Sequence, residues 1–124
     1  MGRLLLVSLG GALGTAARYL LSAGLLRALG PAFPYGTLAV NVIGSFLLGI
    51  ILQIGGDTSP LSPTTRLVLG TGVMGGFTTY SAFNYETLQY LQQGAWAAAG
   101  LYVATTLFVC LAAGGLGVWL ARAF

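Results

Sequence analysis

Four apolar runs dominate this chain, at about residues 4–26, 37–54, 67–91 and 96–120, each close to the roughly 20 residues that a helix needs to cross a bilayer. Only two charged side chains fall inside them, Arg18 in the first and Glu86 in the third. Charged residues make up 6% of the whole, against about 25% in a typical soluble protein, so a water-facing surface cannot be assembled. The breaks between runs are legible as turns. Gly30-Pro31-Ala32-Phe33-Pro34-Tyr35-Gly36 carries Gly/Pro punctuation, Gly55 to Pro63 is a polar connector, and Gln92-Gln93-Gly94 is so short that the last two spans must be antiparallel neighbours. The expected fold is an all-α integral membrane protein, one domain of four transmembrane helices over residues 1–124.

The first run extends past the 7 to 15 apolar residues usual in a secretory leader, and is expected to be a retained span. Leu6 stands where a myristoylation pattern requires Ser or Thr. Several chemistries are excluded outright. With no histidine and a single cysteine, Cys110, the chain has no internal disulfide, no His/Cys zinc site and no Ser-His or Cys-His nucleophile pair, so no enzyme is expected. The formal +3 comes from five sparse arginines and forms no nucleic-acid patch. A literal Gly-x-Gly-x-x-Gly at Gly70, Gly72 and Gly75 lacks the preceding strand of a dinucleotide site; within an apolar span its meaning is a weakened helix.

Arginine placement sets orientation in membrane proteins. Here Arg3, Arg66 and Arg122 fall on one side, and Arg27, with Arg18 nearer the same end, on the other. That bias is weak. It is compatible with one modestly preferred orientation, and equally with insertion both ways round and an antiparallel homodimer. Pairs of small residues four apart, Gly10 with Gly14 and Gly72 with Gly76, provide faces on which helix backbones approach closely. Four short spans enclose little space, so a polar pathway calls for a second copy.

Polar side chains inside the spans must face protein, water or a partner. Thr37, Asn41 and Ser45 recur every four residues along one face of the second span, and Tyr102, Thr106 and Cys110 do the same in the fourth, with Thr105 beside them. The third span holds Gly75-Gly76-Phe77-Thr78-Thr79-Tyr80-Ser81-Ala82-Phe83-Asn84, where a continuous helix is least secure; unwinding there frees carbonyls able to accept a cation. Taken alone, Asn41 serves equally as an interhelical hydrogen-bond former, and the Tyr80/Phe83 pair equally as packing. Taken together, amide N–H, hydroxyl O–H and aromatic ring edges present positive potential without a fixed charge, which suits a small anion that must bind and then leave.

Two stretches, Gly-Thr-Leu-Ala-Val-Asn-Val-Ile-Gly at 36–44 and Gly-Gly-Phe-Thr-Thr-Tyr-Ser-Ala-Phe-Asn-Tyr-Glu at 75–86, resemble the CrcB/Fluc family of fluoride channels, and the similarity runs through the whole chain. The resemblance implies a fluoride-selective channel that exports the ion passively, an inverted (dual-topology) homodimer in the inner, plasma membrane with two fluoride pathways, and a structural sodium ion at the dimer centre. It implies that the carbonyls of Gly75 and Thr78 hold the sodium; that Asn41, Tyr80, Phe83, Tyr102, Thr106 and Cys110 line the fluoride pathway; and that Arg18, Ser81 and Glu86 are accessory. Two positions depart from the family's pattern: Tyr80 stands where phenylalanine is usual, and Cys110, a weaker donor, where serine is common. The alternatives are a proton-coupled exporter like the small multidrug resistance transporters, which needs a first-helix carboxylate that is missing here, and a non-transporting assembly subunit, which leaves the aligned donors without a purpose.

Overall fold

The computed structural model describes residues 1–56 and 59–124; Asp57 and Thr58 of the connector between the second and third spans lie outside the described residues. Among the described residues every regular element is helical. Helix α1 (Gly2–Leu29) closes at Gly30, whose φ of 79° is open to glycine and whose N–H returns to the Leu26 carbonyl. Helix α2 (Tyr35–Ile54) starts directly after Pro34, and helix α6 (Trp96–Ala121) follows the tight turn at Gly94, where φ is 73°. These three are long and apolar enough to cross a membrane. Helix α1 runs a few residues beyond the expected 4–26 at both ends, since no breaker precedes Gly30.

The third span is a composite. Ser62 caps α3 (Pro63–Leu67) by accepting the Thr65 N–H at 3.1 Å, with Pro63 in the first turn, where its missing N–H costs nothing. The chain then widens into a π-helical stretch, Val68–Met74, which contains Gly70 and Gly72. The first two glycines of the Gly-x-Gly-x-x-Gly thus lie in over-wide winding, a rare helical form that is frequent at functional sites. After one turn, α4 (Gly75–Phe77), Thr78 and Thr79 are extended, with ψ of 159° and 113°, and α5 (Tyr80–Gln92) resumes. The break therefore falls just past the paired glycines. Gly75 and Gly76 stay helical, and at Gly76 smallness serves packing instead: a Cβ there would overlap the Gly11 carbonyl oxygen of α1.

Glycine seams set both major contacts. Gly10 and Gly14 of α1 lie against the π-helical stretch and α4, and Gly72 lies against the Val7 carbonyl. On the other side α2 packs along α6, where Gly49 meets the Gly114 carbonyl and Gly117 the Phe46 carbonyl. Such backbone approach replaces the hydrophobic drive that lipid does not supply between helices. A small apolar cluster of Val40, Met74 and Phe77, flanked by Leu21, Leu47, Leu48 and Val73, joins α1, α2 and the broken span. The unbroken spans bury only 11–22% of their most apolar windows. Leu5, Leu13 and Leu20 of α1 and Leu101, Phe108 and Leu111 of α6 point outward, toward lipid or another copy.

Candidate functional site: a donor-lined groove beside the broken helix

The break is held open by a side chain from another helix. Asn41 of α2 accepts the Thr79 N–H on Oδ1 at 2.8 Å and donates from Nδ2 to the Thr79 carbonyl at 3.0 Å, so one amide replaces the helical partners of a single extended residue. Two further diversions follow. The Thr79 N–H, which a continuous helix would give to the Gly75 carbonyl, goes to Asn41, and the Ala82 N–H, which would go to Thr78, caps on Thr79 Oγ1 at 3.2 Å. The carbonyls of Gly75 and Thr78 thereby lose their in-helix donors. Gly75 is exposed, with nothing within 4 Å of where a Cβ would sit. The Gly76 carbonyl is occupied from α1, by Arg18 Nε at 3.0 Å and Thr15 Oγ1 at 3.5 Å. Arg18 thus braces the turn before the break.

A groove of about 520 Å³ opens along this break, between α2, α5 and α6. Asn41, Ser45, Tyr80, Phe83, Thr106 and Cys110 line it, along with the aliphatic Leu48, Val103, Leu107 and Leu111. Ser45 and Cys110, one from each four-spaced row, therefore share one wall. Thr106 is the sharpest member: its hydroxyl is buried and has no hydrogen-bond partner among the described residues. A buried hydroxyl left unpaired costs about 1–3 kcal/mol, which calls for an explanation in what the groove receives. Asn41 spends one of its two amide hydrogens on Thr79 and retains the other. The Tyr80 and Phe83 rings meet edge to face at 5.6 Å, and Tyr80 is 78% exposed, so it stands at the groove's open side.

Tyr102 and Glu86 lie outside this groove. Glu86 accepts from Thr37 Oγ1 at 2.5 Å on one oxygen and from the fully buried Tyr102 hydroxyl at 2.8 Å on the other. It also lines a second hollow of about 330 Å³ at the α1–α2 turn, a vestibule bounded by Phe33, Thr37, Gln89, Tyr90 and Gln93. The Tyr102 and Phe83 rings meet edge to face at 5.1 Å, so Tyr102 links Glu86 of the vestibule to Phe83 of the groove. Ser81 is exposed and lies 3.3 Å from Thr79 Oγ1, beside the break rather than in the groove. No cluster of three His, Cys, Asp or Glu able to hold a metal occurs among the described residues.

Residues 5–118 match the family described as CrcB-like protein, Camphor Resistance (CrcB). The chain belongs to the CrcB-like family. Among relatives, it is 58% identical over 122 residues to a protein of Sorangium cellulosum (strain So ce56) named fluoride-specific ion channel FluC, covering 98% of this chain and 96% of that one. It is 57% identical over 122 residues to a protein of the same name from Anaeromyxobacter dehalogenans (strain 2CP-1 / ATCC BAA-258), covering 98% and 97%, and 46% identical over 125 residues to another from Caulobacter vibrioides (strain NA1000 / CB15N), covering 98% and 97%. This is a family of membrane channels rather than enzymes. The CrcB-like membership places the donor-lined groove and the interrupted span in one setting, a membrane channel.

Two residues of the site escape a reading by residue type. Thr79 is buried and serves at once as the cap of α5 and the partner of Asn41. Its signal is the position three residues ahead of Ala82 in a hydroxyl-rich break, the place of a helix N-cap. Phe33 sits in what the sequence marks only as a turn, yet its ring lies 5.4 Å from Tyr102; no local pattern announces that contact.

Proposed function

We infer that this chain is the subunit of a fluoride-selective channel through which fluoride leaves the cell passively, and the observation that carries the reading is the buried Thr106 hydroxyl, unpartnered among the described residues, in the same groove as the Asn41 amide and the Phe83 ring. Fluoride is small and strongly hydrated, so a pathway must offer donors in place of water. Hydroxyl, amide and ring edge do this without a cation that would trap the ion. An inside-negative potential favours exit by about 2.3 kcal/mol per 100 mV for each charge, so no coupled ion or nucleotide is required. The names of the relatives, fluoride-specific ion channels, support the same ion.

The groove is open to one side, and Gly75 and Tyr80 are exposed beside it, which supports completion by a second copy. The second copy is read as antiparallel, as the resemblance implies and the near-balanced arginines permit, giving two pathways per dimer in the inner membrane. The donor set fits a sodium ion at the dimer centre: carbonyl oxygens of Gly75 and Thr78, released by the break, are neutral hard ligands, and two subunits supply four of them. Bound there, sodium would supply a fixed positive charge and tie the two breaks together; Asn41, Thr79 and Arg18 hold the backbone in the required form without it. A proton-coupled exporter finds no support, since α1 has no carboxylate and both oxygens of Glu86 already accept hydrogen bonds.

Purified protein in liposomes is expected to release trapped fluoride and to retain chloride, read with ion-selective electrodes; equal release of both ends the selectivity claim. Thr106→Val removes the hydroxyl at nearly constant shape. The variant is expected to unfold at the same or a higher temperature, because an unsatisfied group is gone, while fluoride release slows by about tenfold. Unaltered release from a well-folded Thr106→Val protein would take this hydroxyl out of the path.

A further inference from the structure

Tyr102 is fully buried, and three aromatic rings besides its hydrogen bond to Glu86 surround it. Phe83 lies on the groove side at 5.1 Å, Tyr90 of α5 at 6.2 Å, and Phe33 of the α1–α2 turn at 5.4 Å with an interplanar angle of 79°. The Phe33 contact comes from a segment that has every reason to stay put. Gly30 turns the chain in a conformation open to glycine, Pro31 and Pro34 restrict it, and the Tyr90 hydroxyl donates to the Ala32 carbonyl at 3.3 Å. Phe33 also rests on Tyr35, the first residue of α2, at 5.0 Å. A connecting turn that merely joined two helices would need none of these ties.

We propose that Phe33, strapped down through Ala32 by Tyr90, is a positioning residue for conduction: it lines the vestibule and fixes the Tyr102 ring in the orientation that gives its hydroxyl to Glu86 and sets it edge-to-face with Phe83. The proposal rests on the channel reading and adds to it that the turn between the first two spans sets the rate. Fixing the ring does two things. It keeps the Glu86 carboxylate, the negative charge that an entering anion meets in the vestibule, screened by two donors. It also holds Tyr102 in its edge-to-face pair with Phe83, which lines the groove. When the Phe33 ring is lost, the phenol swings, Glu86 loses a donor, and the anion faces a less screened carboxylate.

The experiment compares fluoride release from liposomes for Phe33→Ala, Phe33→Tyr and Tyr90→Phe, each also made in a Tyr102→Phe background, with near-ultraviolet circular dichroism of the same samples in detergent. Phe33→Ala is expected to slow release about five- to tenfold and Tyr90→Phe about two- to threefold, and Phe33→Tyr to restore most of the loss. The tyrosine band should change more in Phe33→Ala than it does on the same substitution when Tyr102 is already phenylalanine, the smaller remainder reporting the Tyr35 contact. In that background Phe33→Ala should add no further slowing, because a residue acting through Tyr102 has nothing left to act on. Release at the parent rate in both Phe33→Ala and Tyr90→Phe, or full additivity with Tyr102→Phe, overturns the proposal. Tyr90→Phe removes one oxygen only, so a folding failure of the alanine variant leaves it to decide. Should the parent protein pass no fluoride, the channel reading fails, and the dichroism still decides whether Phe33 sets Tyr102.

Discussion

Asn41→Asp is expected to stop fluoride conduction, lowering release from liposomes by about 100-fold or more. The amide grips Thr79 by both its N–H and its carbonyl. Aspartate keeps the acceptor and loses the donor, so a carboxylate oxygen faces the Thr79 carbonyl oxygen at hydrogen-bond distance. Leaving a part-buried group unsatisfied costs about 1–3 kcal/mol, and each 1.36 kcal/mol added to a barrier is about tenfold in rate. The second effect is larger. The new negative charge stands in the wall of the groove that an anion must occupy, where the low dielectric strengthens repulsion. Asn41→Ala separates the two: it removes the clamp without adding charge, and release should fall by about tenfold only. Near-parent rates in the aspartate variant would show that the anion passes elsewhere.

The spans are legible in the sequence because they are limited by chemistry that acts locally. Gly30 and Gly94 turn the chain, Pro34 and Pro63 open helices, and the apolar runs between them, with only Arg18 and Glu86 charged inside the spans, leave no choice but lipid. The rows Thr37-Asn41-Ser45 and Tyr102-Thr106-Cys110 are equally legible as faces, since helical periodicity alone aligns them. What each face touches is not. Periodicity cannot tell that Thr37 turns to Glu86, Asn41 to Thr79 and Ser45 to the groove, because those partners lie 38 to 49 residues away on another helix for the first two. The glycines mark the stretch that breaks without marking the residues that unwind, for a related reason. Glycine weakens a helix in water, but between packed membrane helices its missing side chain is used for contact, and the extended residues are the threonines whose hydroxyl and backbone find other partners. Phe33 shows the limit most plainly: its role is entirely tertiary.

The same use of glycine leads to the second large effect, on folding rather than passage. Gly14→Ala is expected to cost about 3 kcal/mol or more and to remove most of the monodisperse protein recovered in detergent. A Cβ at Gly14 would overlap the Val73 carbonyl and crowd the Phe77 N–H, and these obstacles are backbone atoms, so no rotamer change gives way. Helix α1 must then retreat from the π-helical stretch and α4. That retreat carries Arg18 and Thr15 away from the Gly76 carbonyl, loosening the turn that precedes the break. Gly24→Ala on the same helix provides the contrast, because nothing lies within 4 Å of its Cβ and alanine is the better helix former by about 1 kcal/mol. Size-exclusion profiles and thermal unfolding in detergent should therefore separate the two: Gly24→Ala at or above the parent temperature, Gly14→Ala aggregated or far below it. Equal behaviour would mean that the α1 seam does not hold the broken helix in place, and the groove would need another support.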